Sequence, residues 1–83
     1  MYSVELTNTA KKQFSKLNNI LKKRIVANLA RSRVRPYAHI KKLVGGPYFR
    51  LRVGDYRLIL DIKDNKLIIL VLELGHRKQI YKK

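Results

Sequence analysis

Phe49-Arg50-Leu51-Arg52-Val53-Gly54-Asp55-Tyr56-Arg57-Leu58 alternates apolar and cationic residues up to a Gly-Asp pair and resumes beyond it. Alternation with period two marks a strand buried on one face, and Gly followed by Asp suits a two-residue hairpin loop of type II′. With those two residues as the whole loop, Val53 lies opposite Tyr56, Arg52 opposite Arg57, and Leu51 opposite Leu58. Phe49, Leu51, Val53, Tyr56, Leu58, Leu60 and Ile62 then share the core face, while Arg50, Arg52 and Arg57 emerge together on the other.

Downstream, Asp64-Asn65 marks a turn, and Leu67 to Leu74 is apolar on both faces, as a central strand is. A three-residue loop there sets Arg57 opposite Glu73, an ion pair, and puts Arg77 on the Arg57 side. Upstream, Tyr2, Val4 and Leu6 alternate with polar residues as a short strand. Asn8 or Thr9 caps a helix whose Ala10, Phe14 and Leu17 recur at helical spacing, with Lys11, Lys12 and Lys16 off that stripe. Asn18-Asn19 breaks the pattern, and a second helix runs from about Ile20 to Arg33 until Pro36 bars its continuation. The reading is α+β: an N-terminal strand, a two-helix hairpin, then a three-strand antiparallel meander, with the helices packed on one face of a four-stranded sheet. Phe14, Leu17, Leu21, Ile25, Leu29, Leu51, Leu58, Leu60 and Leu70 are its expected core, and residues 1–83 its single domain.

Charge bounds the partners. Twenty Lys and Arg face five acids, Glu5, Asp55, Asp61, Asp64 and Glu73, for a net charge of +15, and no acid stands between Leu6 and Gly54. Such self-repulsion works against a compact state and fits a polyanion partner, nucleic acid above all. The apolar fraction of 46% is too high for a disordered basic tail. The absence of cysteine excludes disulfides and thiolate metal sites. The longest apolar run is about a third of a membrane span, and no signal-peptide pattern opens the chain, so the expectation is a cytoplasmic protein with no membrane partner.

Arginines at Arg50, Arg52 and Arg57 on one sheet face suit phosphate, which accepts bidentate charge-assisted hydrogen bonds from guanidinium groups; a solvated hairpin face is the plainer alternative. The ordered set Lys42-Leu43-Val44-Gly45, then Arg50-Leu51-Arg52-Val53-Gly54-Asp55-Tyr56-Arg57, then Gly75-His76-Arg77-Lys78-Gln79-Ile80-Tyr81 resembles the RelE/ParE superfamily of toxins from type II toxin–antitoxin systems, closest to the RelE branch. The resemblance spans most of the chain: a "K-L-x-G" loop, an "R-x-R-x-G-x-Y-R" hairpin and a terminal "G-H-R-x-x-x-Y".

That resemblance implies a single RelE-like toxin domain that inhibits translation as a ribosome-dependent endoribonuclease, cutting mRNA in the decoding site with the substrate's own 2′-hydroxyl and with no metal and no cofactor. It also implies a cognate RelB-like antitoxin. Arg57 matches the family arginine after the hairpin tyrosine, Arg77 the arginine near the C-terminus, and Tyr81 the tyrosine that stacks on the substrate base. Arg50 and Arg52 stand where bacterial members commonly place lysines. Arginine scarcely loses a proton, so the lysine that could act as general base is gone; His76 and Tyr81 are the substitutes, each with a structural alternative. His39 reads as a surface residue of a basic loop. Lys11, Lys12, Lys16, Lys22, Lys23, Lys41 and Lys42 form solvated faces able to engage RNA backbone without sequence preference. Two other classes fit the same chain: a ParE-like toxin that poisons DNA gyrase, and a non-catalytic basic RNA-binding protein.

Overall fold

In the computed structural model, which describes residues 1–76, the hairpin takes the register its turn dictates. β3 (Phe49–Val53) and β4 (Tyr56–Lys63) pair antiparallel, with Leu51 opposite Leu58, Arg52 opposite Arg57 and Val53 opposite Tyr56. Gly54 has φ 59°, and Leu67 is the described non-glycine residue with positive φ, so only the first loop position is left-handed, as type II′ requires.

β1 (Ser3–Leu6) leads into α1 (Asn8–Ser15) and α2 (Asn19–Ser32). The cap of α1 lies one residue before the expected pair: Thr7, in extended conformation, accepts a hydrogen bond from the Ala10 N–H. Asn18 does the same for α2 through the Leu21 N–H, satisfying donors that a helix start leaves open. Arg33 ties the far end of α2 back to β1, donating from Nε to the Tyr2 carbonyl while its own carbonyl accepts from the Tyr2 N–H.

Two elements were not legible as periodic pattern. α3 (Pro36–His39) is one turn begun by Pro36, whose missing N–H would be unpaired at a helix start anyway. β2 (Lys41–Lys42) follows it and pairs with β3, Lys41 opposite Arg50 and Lys42 opposite Phe49. The sheet therefore has five strands, ordered β1-β5-β4-β3-β2, instead of four; β5 (Ile68–His76) is central and parallel to β1.

The β4–β5 connection corrects the expected register. Asp64–Lys66 forms a 3₁₀ turn and Leu67 adopts left-handed geometry (φ 53°, ψ 48°). The loop gains a residue, pairing Ile62 with Ile69 and Leu60 with Val71. Leu70 consequently sits opposite Asp61 and Glu5 on the open face and is not a core residue. A bulge at Leu72 then shifts the register again, so that Ile59 faces Glu73 and Arg57 faces Gly75, not Glu73.

Leu51, Val53, Leu58, Leu60, Ile62, Ile69, Val71 and Leu74 from the sheet close over Ala10, Ile25 and Leu29 from the helices, with Phe14, Leu17 and Leu21 packed against them. At roughly 1.5–3 kcal/mol per large apolar side chain removed from water, this single-sided burial decides which sheet face the helices cover.

Candidate catalytic cleft

On the opposite, uncovered face the sheet register brings the cations together. Odd-numbered positions of β4 point there, so Arg57 stands beside Arg52, and Arg50 lies one row along, between Lys41 and Ile59. Arg57 is only 8% exposed although it faces away from the core; it forms the floor of a cleft of about 240 Å³ whose walls are His39, Lys41, Arg50 and Arg52. The lining comprises four cations and an imidazole and holds no carboxylate. Glu73 shares this face of the sheet, level with Arg50 and Ile59.

Local chemistry fixes the frame. Arg52 turns its Nε to donate to the Gly54 carbonyl at 3.1 Å, which closes the hairpin tip. The α3 turn that carries His39 is anchored on both sides: the Tyr37 ring meets Phe49 edge-on at 5.8 Å and its hydroxyl donates to Asp64 at 2.7 Å, while Ile40 is 2% exposed. Asp64 also accepts from the Tyr2 hydroxyl at 2.7 Å. These donated bonds hold the Asp64 carboxyl below its ordinary range, Tyr2 contributing most and Tyr37 next. Conversely, the bond to Asp64, reinforced by burial and by the carboxylate charge, pushes Tyr37 up to about 12.

The expected site residues separate into groups. Arg50, Arg52, Arg57 and Lys41 converge. His76 does not join them: it pairs with Tyr56, on the helix side of the sheet, their rings edge to face at 5.7 Å. Arg77 and Tyr81 lie outside the described residues. Lys11, Lys12, Lys16 and Lys23 are exposed on the helices, and Lys22 lies 5.8 Å over the Phe14 ring, half-buried. Lys42 is exposed on the edge strand. Sequence reasoning passed over His39, because a one-turn helix has no periodicity to aim it; Pro36 three residues earlier was the available signal. A second opening of about 520 Å³, lined by Arg24, Asn28, Arg31, Arg52 and Gly54 among others, runs between α2 and the hairpin tip, so Arg52 borders both clefts. Among the described residues no cluster of His, Cys, Asp and Glu could hold a metal ion, and no helix is long and apolar enough to cross a membrane.

Known proteins resemble this chain along nearly its whole length. Residues 4–81 match the family model of the ParE toxin of type II toxin–antitoxin system, parDE. Toxin RelG of Mycobacterium tuberculosis is 29% identical over 86 residues, an alignment covering 99% of this chain and 98% of that protein. A chain of the intact Escherichia coli RelBE toxin–antitoxin complex superposes with a TM-score of 0.80 at 26% identity, covering 92% of this chain and 96% of its own. A chain of the Mycobacterium tuberculosis RelBE2 toxin–antitoxin complex does so at 0.78 and 29%, covering 92% and 98%. A family match along almost the whole sequence, joined to RelE-type relatives in both sequence and fold, makes this chain a member of the RelE/ParE superfamily: a toxin of a type II toxin–antitoxin system, of the RelE family.

Proposed function

We propose that this toxin is a ribosome-dependent endoribonuclease that cuts mRNA in the decoding site and so stops translation in the cytoplasm. The observation that carries the reading is the cleft itself, in which Arg50, Arg52, Arg57 and Lys41 line one hollow without a carboxylate among them. Fixed cations at that density match an RNA phosphate, and still better the extra negative charge it gains in the transition state. The substrate's 2′-oxygen bonds to phosphorus and the bond from phosphorus to the 5′-oxygen breaks, leaving a 2′,3′-cyclic phosphate and a 5′-hydroxyl. The protein supplies orientation and charge stabilisation, and neither a metal nor a protein nucleophile takes part. Arg77 and Tyr81 keep the roles the family resemblance gives them, a phosphate contact and a base-stacking ring. The exposed helix lysines and the Arg24–Arg31 opening dock the toxin on ribosomal RNA backbone.

The partner follows from the same surface. The RelBE complexes of Escherichia coli and Mycobacterium tuberculosis contain a toxin with its antitoxin, and this chain takes a RelB-like antitoxin whose acidic segments neutralise the basic face and keep RNA from it. Incubation of mRNA-programmed ribosomes with the toxin, read by primer extension, tests the activity: cleavage that persists in EDTA and disappears when the 2′-hydroxyl at the cut site is removed is the expected result. The second reading is a ParE-type toxin acting on DNA gyrase, favoured by the description of the matching family. Inhibited supercoiling together with intact mRNA would replace the first reading with it.

A further inference from the structure

The arginines of the cleft account for charge stabilisation but leave the proton of the attacking 2′-hydroxyl with no acceptor. A guanidinium keeps its proton in proteins. His76, the other histidine, is on the far side of the sheet against Tyr56. Among the described lining residues, His39 and Lys41 are the side chains able to carry a free lone pair, and their ordinary ranges differ: about 6.5 for an imidazole and about 10.4 for an ammonium. Imidazole is the side-chain type suited to proton transfer near neutral pH.

Resting on the nuclease reading, we propose that His39 is the general base of this cleft, taking the 2′-hydroxyl proton as the 2′-oxygen bonds to phosphorus. The leaving 5′-oxygen takes up a proton from solvent, so one proton leaves the substrate and one enters it. Placement favours this role. His39 ends α3 immediately before buried Ile40, and the turn is held against Phe49 and Asp64 through Tyr37, so the imidazole is carried on an anchored segment at the rim of the hollow. The groups facing it are Lys41 from β2, Arg50 and Arg52 from β3, and Arg57 from β4. All are cationic; the carboxylate on the same sheet face is Glu73 of β5, level with Arg50. Tyr37 acts as a positioning residue.

Single-turnover cleavage on programmed ribosomes, at saturating toxin and across about pH 5 to 9, tests the assignment. The wild-type rate should rise with pH along an acidic limb. His39→Ala and His39→Gln should both lose that limb and cut about a hundredfold to ten-thousandfold more slowly, with free imidazole restoring part of the rate to His39→Ala. Lys41→Met should cut more slowly yet keep the limb, and so should Tyr37→Phe. If His39→Ala cuts at the wild-type rate with the wild-type limb, His39 is not the base while the nuclease reading stands; transfer of the loss of the limb to Lys41→Met moves the role to Lys41. A wild-type toxin that cuts at no pH overturns both the assignment and the reading beneath it.

Discussion

Thr7 donates its hydroxyl proton to the Leu72 carbonyl across 2.6 Å. Leu72 is the bulged residue of the central strand, and a bulge leaves ladder groups unpaired. The same hydroxyl accepts from the Ala10 N–H, and the Gln13 side-chain carbonyl accepts from the Leu74 N–H at 2.7 Å. One helix therefore repairs the irregularity of the strand it packs on. Thr7→Val keeps the shape but removes the cap, worth about 1 kcal/mol, and strands a partly buried carbonyl at about 1–3 kcal/mol. Urea denaturation should show a loss of about 2–4 kcal/mol with the slope unchanged.

Gly54 is favoured for its backbone more than for its space. A Cβ there would meet the Arg24 guanidinium at 3.3 Å, the far end of a flexible side chain that can withdraw, but the φ of 59° remains. Gly54→Ala should cost about 1–2 kcal/mol, read as a lower melting temperature. Asp55→Asn, at a position with ordinary φ, should change it little.

Acid and alkali should loosen the Tyr2–Asp64–Tyr37 cluster for different reasons. The Asp64 carboxyl is lowered in the folded chain, so its contribution is present above the ordinary value near 3.8 and lost as pH falls through the lower folded value. Tyr37 is raised, so its contribution is present below its ordinary 10.0 and lost as pH climbs through about 12. Phenolate absorbance should resolve a late-titrating tyrosine near that value, and Asp64→Ala should return it toward 10.0.

Under the nuclease activity proposed above, cleft and helix cations should differ in kind. Arg57→Ala removes a cation from the point where charge develops and should slow single-turnover cleavage about a hundredfold or more; Arg52→Ala, at an exposed position, gives a comparison less exposed to folding losses. Lys12→Ala removes one distant phosphate contact, so affinity should fall modestly and its salt dependence flatten by about one unit of slope, with the bound rate unchanged. Equal bound rates for the Arg57 variant and the wild type would reduce the arginines to docking groups.

The hairpin was legible because its information is local: Gly-Asp admits a two-residue loop, and alternation assigns every side chain to a face. The β4–β5 register was not. Leu67 takes a left-handed conformation that leucine seldom adopts, and the bulge falls in Leu67-Ile68-Ile69-Leu70-Val71-Leu72, an apolar run with no alternation to break. The convergence of Arg50, Arg52 and Arg57 could be read from the strand pattern alone. The approach of His39 could not, since it depends on a tertiary bond from its neighbour Tyr37 to a residue 27 positions away.

The order in which a ribosome makes this sheet differs from the order in which the sheet can close. β1 emerges first, yet its strand partner is β5, whose residues come after those of every other described strand. A nascent chain that stops before Ile68 already carries the arginine hairpin but lacks the strand that joins it to β1 and the surface on which α1 rests. Contacts this distant in sequence form slowly. Topology thus delays assembly of the arginine cleft: the strands that carry its cations are made before the strand that locks them into the sheet.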